Sequence, residues 1–293
     1  MDFKEELKKY VNIINNELEK NIIKEEVPEQ ILNKAIEYSL MAGGKRIRPT
    51  LILATYSIFA NDIEKCFTFA VAMEMIHNFS LIHDDLPGID NDDFRHGKPT
   101  NHKKFNEATA ILAGDGLLNN AYMLISKELL KNNSLENIKA FDELSFAVDR
   151  MIAGEYIDTE YEGNTEISSK YLEYMHKNKT GALLRASVRI GAILAKANEE
   201  TLEKLTRYAE IIGLTFQIKD DILSRIGDEK ILGKPVGNDE QRGKCTYVTK
   251  FGLEKAEQML EELTNEAICI IDKFGEKAEF LKELALYIKN RKK

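Results

Sequence analysis

Apolar positions recur along this chain at helical spacing. Phe3, Leu7, Tyr10, Val11, Ile14 and Leu18 fall three or four residues apart and form one stripe. Ile31, Leu32, Ala35, Ile36 and Leu40 repeat the pattern after Pro28, which suits a first helical turn, and Gly43-Gly44 is a stop. The same period predicts a third helix from near Pro49 and a fourth over 62–86, ended by Pro87-Gly88. Further helices are expected over 106–131, 134–160, 168–197, 199–224, 253–273 and 276–290. The segments 62–86, 168–197 and 199–224 are apolar on more than one side, which assigns them to the centre. No stretch alternates at period two over the length of a strand, and all five prolines lie between these segments or at their ends. With no low-complexity linker, residues 1–293 read as a single all-α domain, a large helical bundle.

Composition agrees. Apolar residues make up 43% of the 293, enough for a buried core, while 17 Gly and 5 Pro are too few for an all-β fold. The 49 acidic against 41 basic residues give a formal charge of −8, which argues against a nucleic-acid binder. Cys66, Cys245 and Cys269 are far apart and form no CxxC, as expected of reduced thiols. The first residues are charged, and no apolar run reaches the roughly 18 residues of a membrane span. A cytoplasmic protein without a membrane span is the expectation.

Two irregular stretches, 87–104 and 226–244, interrupt the pattern, and each follows a helix ending in paired aspartates. Asp84, Asp85, Asp90, Asp92 and Asp93 put five carboxylates in ten residues at a helix C-terminus, where the dipole disfavours negative charge. By itself such a cluster reads either as a solvated acidic turn or as a site for a hard cation such as Mg²⁺. The second pair, Asp220-Asp221 in FQIKDDIL, shifts the balance: two pairs on separate buried helices can face one another and share metal ions with a diphosphate. Cations to hold that diphosphate stand nearby in sequence. They are Lys45, Arg46 and Arg48 beside a helix start, Arg95 after the first acidic run, Lys179 in a Lys-Thr-Gly interruption, and Lys234 and Lys244 in the second loop. Singly each is an ordinary surface charge; jointly they suit a polyanion.

The segments GGKRIRP (43–49), EMIHNFSLIHDDLPGIDNDDFRHGKPT (74–100), AGDGLL (113–118), KTGALL (179–184), FQIKDDIL (216–223) and GDEKILGKPVG (227–237) resemble the trans-prenyltransferases, the short-chain polyprenyl diphosphate synthases. The bacterial farnesyl diphosphate synthases are the nearest type. The resemblance runs in family order over almost the whole chain. It implies the isoprenoid synthase fold around a central cavity, a homodimer, and two substrates, isopentenyl diphosphate and an allylic diphosphate. Asp84, Asp85 and Asp90 would bind Mg²⁺ from one side, and Asp220 with Asp221 from the other, three ions in all with substrate bound and Mn²⁺ able to substitute. Arg95, Lys179, Thr180, Gln217 and Lys234 would hold the allylic diphosphate. Lys45, Arg48 and His77 would hold isopentenyl diphosphate, with His96 and Lys244 also at substrate. Ionisation of the allylic diphosphate gives a carbocation, which the isopentenyl double bond attacks head to tail; the released diphosphate is the implied base, and water must be excluded.

Three departures stand out. His96 occupies the position of a second arginine that the family uses on isopentenyl diphosphate, so weaker binding that improves at lower pH is expected. Ser224 replaces the last carboxylate of the second motif, and Glu155 stands where a glutamine is common. Phe79, with Ser80 beside it, lies where a bulky residue limits product length in the family, which favours farnesyl over geranylgeranyl diphosphate. Other readings stay open: Glu74-x-x-His77 and Glu173-x-x-His176 as a di-iron signature, His83-Asp84 as part of a metal phosphohydrolase, and a weakly active or non-catalytic partner subunit.

Overall fold

The computed structural model describes residues 2–23, 27–164, 167–226 and 245–292. The helices are α1 (Phe3–Lys20), α2 (Gln30–Leu40), α3 (Ile47–Phe59), α4 (Phe67–Asp84), α5 (Asn101–Lys104), α6 (Glu107–Lys131), α7 (Leu135–Glu160), α8 (Ser169–Lys179), α9 (Gly181–Leu194), α10 (Glu199–Ile226), α11 (Tyr247–Phe251), α12 (Leu253–Ile271) and α13 (Glu279–Asn290). Among the described residues the only sheet is a two-residue ladder, Phe94–Arg95 (β1) against Lys98–Pro99 (β2), with His96 and Gly97 at its left-handed tip. The all-α expectation therefore holds.

The bundle is built around α3, α4 and α9. Helix α4 lies along α6, α9 packs on α3, α7 and α10, and α12 covers the far side of α10. Twelve of the fourteen residues of α9 are buried, and nine of the thirteen in α3. The centrality of α3 is less plain in sequence because Thr50, Thr55, Tyr56 and Ser57 interrupt its apolar run. Ser57 meets its own polarity by donating to the Leu53 carbonyl, and Tyr56 donates to Asp62.

Two boundaries differ from the periodic reading. The segment 62–86 opens with a 3-10 turn, Ile63–Cys66, before α4 begins at Phe67. The segment 168–197 is two helices, because the backbone departs from the helix at Thr180; only α9 is central, while α8 buries four of its eleven residues. Helix α10 is packed on two sides, by α9 and by α12, and its consecutive buried runs Ile211–Gly213 and Asp221–Ser224 agree with the central place expected of it.

Candidate active site

The first acidic wall grows out of the end of α4. Asp84 is its last residue, and the chain then curls back: Ile89 and Asn91 donate to the Leu86 carbonyl, and the Asp90 N–H donates to the Asp84 carbonyl at 2.8 Å. This turn returns Asp90 to the side of Asp84, and both line a cavity of about 910 Å³. Asp85 does not line it. Its buried carboxylate is gripped by Arg95 from the hairpin, with Nε at 2.8 and 3.0 Å from the two oxygens and Nη2 at 2.6 Å from Oδ1. Arg95 itself does face the cavity. Burial, then the Glu155 carboxylate, push Asp84 up to about 8, against the pull of Lys179 and Arg95. A carboxyl so raised is short of positive charge.

The opposite wall comes from α7, α8 and α10. Lys179, at the end of α8, donates to Glu155 at 2.9 Å and to Asp158 at 2.6 Å on α7. Burial opposes the lysine charge, but Asp158 and Glu155 outweigh it and hold the ammonium charged. This contact depends on Gly154: a Cβ there would stand 2.1 Å from the Lys179 backbone nitrogen. Thr180 Oγ1 donates to Gln217 at 3.2 Å, and Gln217 Nε2 donates to Asp221 at 2.9 Å. The other Asp221 oxygen accepts from the Tyr247 N–H at 2.7 Å. Each aspartate pair thus has one buried member engaged with protein groups (Asp85, Asp221) and one that lines the cavity (Asp84, Asp220).

A second hollow of about 270 Å³ adjoins the first, and the Phe216 ring lines both. Lys45, Arg48, His77 and His96 surround it. Arg48 Nη1 donates to His77 Nε2 at 3.0 Å. Burial pushes Arg48 down to about 10, and burial with the Arg48 charge holds His77 neutral, well below its ordinary value. Arg48 Nε and His77 Nδ1 are buried without a partner, as donors awaiting an anion would be. Arg46 turns the other way, into the core, where it meets Glu74 at 2.7 Å, Asn15 and the Leu40 carbonyl. Burial, then Arg95, Arg46 and Lys45, hold His96 below its ordinary value.

The apolar end of the large cavity is lined by Phe79, Ser80, His83, Met151 and Ile152. Phe79 and His83 meet edge to face at 4.9 Å, and His83 Nε2 lies 3.0 Å from the Ile111 carbonyl of α6. Among the described residues no three His, Cys, Asp or Glu side chains stand close enough to hold a metal ion by themselves. The arrangement fits a cation whose shell is completed by water and substrate oxygens, the habit of Mg²⁺.

Lys234 and Lys244 lie outside the described residues. The two Glu-x-x-His pairs are occupied separately: Glu74 pairs with Arg46 and His77 with Arg48, while His176 stacks on Tyr247. Asp158, Phe216 and Arg291, which ion-pairs with Asp220 at 2.8 Å, escape the sequence reading. Asp158 had a signal, its i, i+3 spacing from Glu155.

The model of the polyprenyl synthetase family matches residues 29–284. The chain belongs to this family. Farnesyl diphosphate synthase from Micrococcus luteus is 41% identical over 286 residues, covering 97% of this chain and 96% of that one. A chloroplastic geranylgeranyl pyrophosphate synthase from Capsicum annuum is 43% identical over 281 residues, 95% of this chain and 76% of the relative. In structure the chain is similar to an FPP/GFPP synthase from Zymomonas mobilis, with a TM-score of 0.88 at 34% identity over 98% of this chain and 99% of that one. It is also similar to a geranyltransferase from Legionella pneumophila, with a TM-score of 0.86 at 32% identity over 99% and 97%. As a polyprenyl synthetase this chain is a trans-prenyltransferase with the isoprenoid synthase fold, acting on prenyl diphosphates. No helix among the described residues is long and apolar enough to cross a membrane.

Proposed function

We propose that this polyprenyl synthetase condenses isopentenyl diphosphate with dimethylallyl and then geranyl diphosphate, and releases farnesyl diphosphate. The observation that carries the product length is the pair of rings, Phe79 and His83, which stand one helical turn apart on α4 in the cavity lining, His83 one residue and Phe79 five residues before Asp84. Mg²⁺ is the cation that Asp84, Asp90 and Asp220 would bind, and it would draw negative charge from the departing diphosphate. Arg95, Lys179, Thr180 and Gln217 hold the allylic diphosphate in this reading, and Lys45, Arg48, His77 and His96 hold isopentenyl diphosphate. The cationic side chains stabilise the leaving group as its charge develops. The apolar wall of Phe79, Met151 and Ile152 keeps water from the allylic cation. Burial and the Arg48 charge make His77 a weak base, so the proton lost from the isopentenyl carbon after the new C–C bond forms passes to the released diphosphate.

The relatives named geranylgeranyl synthases support a second reading with a C20 product. Chain-length analysis of products made from labelled isopentenyl diphosphate and Mg²⁺ separates the two. A C15 product is expected, and Phe79→Ala should shift it to C20 or longer; an unchanged profile removes Phe79 as the limit. No product with any primer would favour a non-catalytic partner subunit. A homodimer is part of the proposal, supported by the exposed Ile111, Leu112, Met123, Leu135, Ile138 and Phe146 on α6 and α7.

A further inference from the structure

Arg291 follows directly on α13, and its side chain is only 5% exposed. The guanidinium lies over the Phe216 ring, 4.1 Å from its centroid. Nη2 donates to the Phe216 carbonyl at 3.0 Å and to Asp220 Oδ1 at 2.8 Å. Phe216 and Asp220 are one helical turn apart on α10, so one arginine grips both. Its Nε is buried with no partner, so Phe216 and Asp220, not the arginine's own hydrogen-bonding needs, set its position.

The direction of approach matters. Asp220 lines the large cavity, whereas Arg291 does not. The arginine therefore holds the carboxylate from behind. Oδ1 is pinned, and among the described residues no donor reaches Oδ2. A carboxylate fixed through one oxygen presents the other in a defined direction, and such support from behind commonly governs metal affinity.

We propose that Arg291 is a positioning residue that fixes Asp220 so that its second oxygen is offered to a divalent cation in the cavity. The inference rests on the prenyltransferase reading of the site and adds a residue from the end of the last helix to it. The opposite role, a guanidinium that fills the cation's place and must be displaced, would put Arg291 inside the cavity and would make its removal favour metal binding.

The two roles differ in sign. Binding of inorganic pyrophosphate is measured by isothermal titration over a range of Mg²⁺ concentrations, for the wild type, Arg291→Ala and Arg291→Lys. Arg291→Ala should raise the Mg²⁺ needed for half-maximal pyrophosphate binding about tenfold. Arg291→Lys, which keeps a donor but loses the planar stack, should fall between. In turnover the same rise in Mg²⁺ requirement is expected, with kcat recovered at saturating Mg²⁺ and the KM for isopentenyl diphosphate unchanged. A merely structural role would lower the melting temperature and kcat at all Mg²⁺ concentrations, and would overturn the proposal. An unchanged or lowered Mg²⁺ requirement in either variant, with an active wild type, overturns it alone. A wild type that neither binds pyrophosphate with Mg²⁺ nor forms product overturns the functional reading with it. If Arg291→Ala fails to fold, Arg291→Lys carries the comparison.

Discussion

His96 sits beside Gly44, where a Cβ would lie 3.7 Å from its Nε2, and is faced by Arg95, Arg46 and Lys45. Burial and these three cations hold it below its ordinary value, so at neutral pH it offers a diphosphate no charge. The KM for isopentenyl diphosphate should fall as pH drops below about 6.5. His96→Arg should lower that KM about tenfold at pH 7.5, the worth of one charge-assisted hydrogen bond, and flatten its pH dependence. An unchanged KM in steady-state kinetics would remove His96 from the subsite. His176 shows a second, purely structural effect. Burial pushes it down to about 4, and its Nε2 has no partner. A histidine depressed in the folded state stabilises the fold above its unfolded value of about 6.5, and this is lost as pH falls. From these values His176 should cost about 2 kcal/mol between pH 7.5 and pH 5. His176→Gln should therefore lose less stability over that range, as read from urea midpoints at the two pH values.

At the scale of elements, the allylic side of the site depends on how closely α7 approaches the end of α8. The backbones meet at Gly154, and this contact lets Glu155 and Asp158 reach Lys179 together. Gly154→Ala should push α8 outward, cost about 1–3 kcal/mol of stability, and raise the KM for the allylic substrate more than that for isopentenyl diphosphate. Equal effects on both would show that α8 does not position the allylic subsite. Gly114 plays the same part on the floor, where a Cβ would stand 2.2 Å from His83 Nε2. Most of these helices are legible from periodicity, because burial of one face leaves a three-to-four repeat in the sequence. The break at Thr180 is legible only as the Lys-Thr-Gly interruption. The hairpin is not, since a two-residue ladder is too short to alternate.

At the scale of the whole molecule, the sequence names the charged motifs, but their division of labour is a tertiary fact. Nothing in Asp84-Asp85 or Asp220-Asp221 says which aspartate will face the cavity. That choice is made by Arg95, Gln217, Tyr247 and Arg291, three of which lie far away in sequence from the pair they touch or in another element. The same holds for Lys45-Arg46-Ile47-Arg48, where Arg46 is a core residue paired with Glu74. Arg291 had no local signal that set it apart, being the first of three successive basic residues after an ordinary amphipathic helix. Helix α13, which delivers it, is held in turn by α1: Phe3 packs against Phe280 and Tyr287, each at 5.2 Å, and Tyr10 meets Phe280 edge-on at 5.1 Å. A random-mutagenesis screen for altered choice between Mn²⁺ and Mg²⁺ would therefore recover hits in this aromatic patch, remote from any substrate atom, because loosening it changes how firmly the final helix backs the second acidic wall.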